Sequence, residues 1–252
     1  MTQITVKRLW KEYDTQVVLE NVSLHVGDHE FVTIIGASGC GKTTFLRMLL
    51  GVETPSRGEF LIDGRPLPRE PGPDRGIVFQ RYSLFPHMTV LQNVLLGLEL
   101  RGSPVFGRLF GARRRAAVAR AEELLETVGL RASRNKYPAQ LSGGMQQRLS
   151  IAQSVICEPK ILLLDEPFGA LDPGVTADMH ELILKLWNLN KMTVVMVTHD
   201  VQESFYLGTR LLVFDKVRID SQAPDRYGAT ITYDIPLKGH RREALPGITG
   251  TL

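Results

Sequence analysis

The sequence predicts an α/β fold in which helices pack on a largely parallel β-sheet. Residues 161–165 and 193–198 are short apolar runs with the length of buried strands, and the helical stretch 174–189 lies between them. A further apolar run, 31–35, ends in the glycine-rich segment 36–41, after which 43–50 resumes at helical spacing with Leu46, Leu49 and Leu50 apolar. Strand, helix, strand in that order calls for parallel pairing with a crossover helix covering the sheet.

The other elements follow along the chain. Residues 4–6 and 17–26 read as β structure, the second closed by a Gly27-Asp28 turn, and 58–64 reads as a short hairpin arm. Residues 66–73 form a proline-rich surface loop, and 76–80 a short strand. From 90 to 156 the character is helical, most clearly at 116–128, with a further helix at 150–156 that stops before Pro159. Residues 210–214 and 230–234 are expected as late edge strands. The organisation expected is a single domain over 1–252. Residues 1–89 and 157–220 form its core and β subdomain, 90–156 a helical subdomain and 221–252 a C-terminal tail.

With 43% apolar and 23% charged residues, the 252-residue chain has the composition of a globular protein. Thirty basic against twenty-seven acidic residues leave a net charge of +3, too small an excess to suggest nucleic acid as a partner. Cys40 and Cys157 are far apart and fit neither a metal-ligand spacing nor a disulfide framework, which suits a reducing compartment. The first residues lack the pattern of a signal peptide. No apolar run approaches the ~20 residues needed to span a bilayer, so attachment to a membrane is expected to come through a partner.

Chemistry enters at Gly36-Ala37-Ser38-Gly39-Cys40-Gly41-Lys42-Thr43, a full G-x-x-x-x-G-K-[ST] match, with Thr44 next on the helix. Its glycines let successive N–H groups turn inward onto phosphate oxygens, and the helix start adds partial positive charge. Lys42 supplies a full charge to the β- and γ-phosphates, and the Thr43 hydroxyl is a ligand for Mg²⁺. The run 161–164 ends in Asp165 and Glu166, carboxylates placed at the carboxyl edge of a buried strand where open α/β sheets bind ligands. Asp165 is the candidate to hold the metal's shell, and Glu166 to take a proton from an attacking water.

Leu141-Ser142-Gly143-Gly144-Met145-Gln146-Gln147-Arg148 resembles the signature of ABC-type ATPases. The family's other marks stand in its order: Gln80 at the Q-loop, Ala170-Leu171-Asp172 at the D-loop, His199 as the switch histidine, and Tyr13 where an aromatic stacks on adenine. The resemblance covers essentially the whole chain. It implies a P-loop NTPase (RecA-like) core with an N-terminal antiparallel β subdomain and an inserted α-helical subdomain. It implies ATP and Mg²⁺ as cofactors, with Thr43, Gln80 and Asp165 at the metal and Glu166, His199 and Gln80 at the chemistry. It also implies two chains, a second copy or a paralogous ATPase, arranged head to tail. Ser142 and its glycines open a helix, a second anion site, and would close over ATP held by the partner chain. One departure is Met145, where Gln is usual; activity is expected to survive it. Another is the stretch 103–115, longer than in compact relatives.

The wording around the motifs is similar to the nitrate, sulfonate and taurine importer ATPases, which implies a separate integral-membrane permease, an indirect link to a solute-binding protein and a peripheral place on the cytoplasmic face of the inner membrane. A soluble relative of DNA repair or translation would carry a second motor or long insertions. A catalytically dead relative would lack Glu166 or His199. An exporter half is disfavoured because no membrane segment is expected here, though a separately encoded permease could serve one. In the segment 81–90, Leu84 and Phe85 beside Pro86 are either packing residues or apolar anchors for a short permease helix. Arg108 and Arg113–Arg115 read as a solvated loop and helix start, with anionic lipid headgroups as the alternative partner.

Overall fold

A computed structural model describes residues 2–80, 83–103, 107–169, 171–220, 222–223 and 225–237. Two sheets organise them. The first is antiparallel, with strand order β2-β1-β4-β5, and is built from β1 (Ile4–Tyr13), β2 (Gln16–Val26), β4 (Arg57–Ile62) and β5 (Arg65–Pro66). The second has the order β10-β9-β3-β8-β7-β6. It comprises β3 (Phe31–Gly36), β6 (Arg75–Val78), β7 (Ile161–Asp165), β8 (Thr193–Val197), β9 (Arg210–Asp215) and β10 (Thr230–Pro236). Its five strands β9, β3, β8, β7 and β6 are parallel, and β10 joins antiparallel to β9.

The apolar runs that announced β7 and β8 have a direct structural cause. On β7, Ile161 and Leu163 enter one core while Leu162 and Leu164 enter the other. On β8, Val195 and Val197 alternate with Val194 and Met196 in the same way. Both faces of the sheet are buried, so neither strand carries a polar face. Helix α1 (Lys42–Leu50) lies between the two sheets: the Phe45 ring sits 5.4 Å from Phe60 of β4 and 5.4 Å from Phe214 of β9. The opposite face of the large sheet carries α2 (Val90–Gly102), α3 (Gly111–Thr127), α4 (Gly143–Val155) and α5 (Pro173–Asn190), which contribute Val94, Leu125, Leu149, Ile183 and Trp187 to the second core. A short helix, α6 (Val201–Leu207), precedes β9.

Three expectations are corrected. The strand expected at 4–6 runs on to Tyr13; its charged residues 7, 8, 11 and 12 are exposed or half-buried, and register shifts interrupt its pairing. Residues 210–214 are not an edge: β9 lies between β3 and β10, because 230–236 adds a strand outside it. The helix read at 150–156 is the second half of α4, which begins at Gly143, where Ser142 and its glycines were expected to open a helix; α6 was not anticipated.

Candidate functional site: a phosphate loop beside a shared carboxylate

The carboxyl ends of β3, β8, β7 and β6 lie side by side along one edge of the large sheet. Each strand delivers one of the sequence-selected groups there: the glycine loop after β3, His199 just beyond β8, Asp165 and Glu166 at the end of β7, and Gln80 just beyond β6. Parallel pairing is what gathers residues more than a hundred positions apart.

The loop's shape depends on glycine at two points. A Cβ on Gly36 would stand 2.2 Å from the Phe214 carbonyl oxygen. Gly41 has φ +89°, and a Cβ there would meet the side chains of Val18 and Leu19 at 2.8 Å. Lys42 is buried; its Nζ donates to the carbonyls of Gly36 (2.8 Å) and Ala37 (2.9 Å), which hold the ammonium over the loop. Cys40 is buried against the same ammonium, and burial pushes its thiol pKa up, away from the reactive thiolate. Tyr13 stands at the end of β1 beside Thr44 of α1, half-exposed, with its hydroxyl donating to the Glu53 carboxylate. Burial first, then Glu53, raise the phenol's pKa. Lys11 Nζ lies 4.5 Å from the Tyr13 ring centre.

The Thr43 hydroxyl donates to Asp165 Oδ1 at 3.1 Å. Burial raises the Asp165 pKa from its ordinary value; the Thr43 bond opposes that, and the charge of Glu166 adds to it. A hydroxyl and a half-buried carboxylate are hard oxygen donors of the kind Mg²⁺ takes alongside phosphate oxygens, so the pair fits that ion. Next to it, Glu166 adopts φ +46°, a left-handed conformation, with its N–H donating to Val197 O at 2.9 Å. Its Oε2 accepts a hydrogen bond from Gln80 Nε2 at 3.1 Å and lies 3.8 Å from His199 Nδ1. Gln80, Glu166 and His199 therefore meet at one carboxylate oxygen.

The signature residues sit on a different element. Ser142 is the N-cap of α4, its Oγ accepting from the Met145 N–H at 3.4 Å. Ser142 and Gly143 are exposed and Leu141 is buried. A Cβ on Gly144 would come 2.6 Å from Val175 of α5. Met145 is half-buried and packs on the helical core. Among the described residues, no hydrogen bond joins Ser142–Met145 to the phosphate loop or to Glu166. Asp172 is the N-cap of α5, its carbonyl accepting from the Thr176 hydroxyl at 3.1 Å; Ala170 lies outside the described residues.

Sequence reasoning missed a second layer. A cleft of about 370 Å³ opens beside Glu166 and His199, and its wall includes His180 of α5 and Glu203 of α6. His180 Nε2 lies 2.9 Å from Glu203 Oε1, and its ring meets Phe168 edge-on at 5.0 Å. Neither residue belongs to a motif; only the packing of α6 on α5 pairs them. Glu53, which holds Tyr13, was likewise unmarked.

The family model for the ABC transporter matches residues 19–169. The chain is 42% identical over 220 residues to the nitrate import ATP-binding protein NrtD of Synechocystis, covering 87% of this chain and 77% of that one. It is 39% identical over 224 residues to the aliphatic sulfonates import ATP-binding protein SsuB of Bacillus licheniformis, covering 89% and 80%. A solved dimeric cassette in a post-hydrolysis state, bound to ADP and Pi, superposes with a TM-score of 0.74 at 31% identity, covering 94% of this chain and 99% of that one. With a match across more than half its length and the phosphate loop, shared carboxylate and capped signature helix all in place, the chain belongs to the ABC transporter family.

Proposed function

We propose that the chain is the ATP-hydrolysing subunit of an importer for a small polar or ionic solute, of the kind the nitrate and sulfonate relatives are named for, working with a separate membrane permease. The observation that carries this reading is the convergence of Gln80 and His199 on Glu166 beside the Thr43–Asp165 pair. The residue at 199 is the chain's own candidate for the γ-phosphate, and Glu166 for the proton of the attacking water.

The geometry supports the following roles. The N–H groups of Gly36–Thr44 and the start of α1 receive the phosphates, and Lys42 adds a charge-assisted contact to the β- and γ-oxygens. Tyr13, at the rim beside Thr44, offers its ring to the adenine. Thr43 and Asp165 would hold Mg²⁺, which when bound neutralises charge on the β- and γ-phosphates. Glu166 takes the water's proton, Gln80 keeps that carboxylate oriented and reaches the metal's shell, and His199 contacts the γ-phosphate from the other side. Ser142 and Gly143 are exposed at the start of α4, so with Gly144 they serve ATP bound by a second chain in a head-to-tail dimer, with Asp172 at the same seam. Importer relatives and a dimeric cassette at 31% identity support this arrangement. Among the described residues, no helix is long and apolar enough to cross a membrane. The permease is therefore proposed as the chain's anchor, and the place as peripheral on the cytoplasmic face.

Nucleotide titration tests the core of this. Lys42→Ala should weaken binding of a fluorescent ATP analogue by at least about tenfold, the value of one charge-assisted hydrogen bond, and abolish turnover. Unchanged affinity would remove the loop as the nucleotide site.

A further inference from the structure

The corner between α2 and α3 concentrates charge in a way the nucleotide chemistry does not use. Residues 100–121 hold six of the chain's thirty basic residues, all arginine, and none of its twenty-seven acidic ones. The net charge of +3 thus originates here, since the rest of the chain is net acidic. Three of the arginines, Arg113–Arg115, are exposed in the first turns of α3, where the helix dipole is positive and no acidic residue stands in the first turn. Like charges gathered there repel each other and the dipole, so the free chain gains nothing from them. Among the described residues, Arg114 meets Glu99 at 3.8 Å, while Arg108, Arg113 and Arg115 meet no carboxylate.

The same corner presents apolar surface outward. Gly107 N–H donates to Ser103 O at 2.8 Å to close the turn, and Gly107 and Gly111 take φ +60° and +58°. Leu109 is buried over Gly102 and anchors the turn, whereas the next residue, Phe110, is 70% exposed. Leu100, 52% exposed, lies beside Gly107. An exposed aromatic and a leucine in the same corner as exposed arginines, three of which meet no carboxylate, match a lipid interface, where rings sit at headgroup depth and guanidinium groups meet anionic phosphates. We propose that the α2–α3 corner is a membrane-contact surface for anionic lipid, with Phe110 and Leu100 entering the interface and Arg108 and Arg113–Arg115 binding phosphate headgroups. The contact is independent of the ATP site. It adds direct lipid attachment to that made through the permease and orients the helical layer toward the bilayer.

Co-sedimentation of the full chain with vesicles tests it, using phosphatidylglycerol mixed with phosphatidylcholine against phosphatidylcholine alone. The chain should bind the anionic vesicles, fail to bind the neutral ones, and release as salt shortens the Debye length. Each arginine near the surface is worth about fivefold in affinity, so Arg113→Gln/Arg114→Gln/Arg115→Gln should weaken binding on the order of 100-fold. Phe110→Ser should weaken it about tenfold by removing the inserted ring. All these side chains are exposed and remote from the phosphate loop, so ATP turnover of the isolated variants should match the wild type. Absence of binding to anionic vesicles, equal binding to neutral ones, or a triple variant that binds as the wild type does would each overturn the proposal. A triple variant that fails only to assemble with the permease, in a chain that ignores pure lipid, would overturn it too, in favour of an acidic protein partner.

Discussion

Glu166 occupies a backbone conformation that glycine or asparagine would adopt more readily, at a cost of about 1–3 kcal/mol. The strain aims its carboxylate back across β7 and β8, between Gln80 and His199. Its neighbour Asp165 faces the phosphate loop instead, where it accepts from Thr43, so in the proposed mechanism two adjacent carboxylates divide the metal and the proton between them. Glu166→Gln keeps the shape of the side chain but removes the proton acceptor. Steady hydrolysis should fall by at least ~10²-fold, with ATP affinity retained and an ATP-bound dimer accumulating in gel filtration; turnover near the wild-type rate would take Glu166 out of that role. Asp165 carries a different signature. Because burial raises its pKa in the folded state, its charge costs stability at neutral pH, and the cost disappears as pH falls below the unfolded value of about 4. Asp165→Asn should therefore raise the Tm of the nucleotide-free protein at pH 7, lose that gain in acid, and cut Mg²⁺-dependent turnover. Thermal scans across pH and a turnover assay check the two halves separately.

At the scale of elements, α6 has seven residues and presents Val201, Phe205 and Tyr206 to solvent, so its pattern gave no helical stripe to read. It holds its place through Asp200, which caps its first turn at 2.7 Å, and through the buried pair of Glu203 with His180. His180 also touches Phe168, two residues past Glu166, so one ring links the turn after β7, the helix that follows Asp172 and the helix that follows His199. Glu203 is 7% exposed, and removing its partner would strand a buried carboxylate. His180→Leu should cost about 1–3 kcal/mol, the cost of leaving a buried polar group unpaired, whereas His180→Gln, which keeps an N–H donor, should cost far less; urea denaturation of both variants decides this. The parallel strands were legible because their apolar runs reflect burial on two faces. Strand order was not: nothing local in 210–214 says that a later segment will cover it, and β9 was read as an edge for that reason. The long β1 was hidden by charged residues outside the core and by its register shifts. Motif residues were legible one by one, yet the joint that holds them, His180 with Glu203 and Phe168, depends on helices meeting across twenty or more residues.

Across the molecule, α1 ties the antiparallel sheet to the large one, while α2 to α5 form a separate core on the far face. A link from the nucleotide to the proposed permease would pass between these layers, and residues 83–89 lead from the Gln80 edge to α2. Arg81 and Tyr82 lie outside the described residues. Beyond them, Leu84 packs on the helical core while Phe85 is 38% exposed. The Phe85 backbone is fixed by the fully buried Asn93 of α2, which accepts its N–H at 2.8 Å and donates to its carbonyl at 3.1 Å. A rigid backbone that offers an aromatic ring suits an anchor for a short permease helix, with Leu84 serving the fold beneath it. Truncating a half-exposed ring should cost the isolated subunit only about 1 kcal/mol, against the 3–5 kcal/mol of a fully buried phenylalanine. Phe85→Ala should accordingly leave the purified subunit folded, with ATP affinity unchanged. In vesicles holding the complete transporter, it should lower solute uptake per ATP hydrolysed by about tenfold or more, as loss of a central aromatic anchor does at other interfaces. Uptake and phosphate release measured on the same vesicles give that ratio directly. A subunit that unfolds on the substitution would make Phe85 a core residue, and an unchanged ratio would move the coupling surface elsewhere.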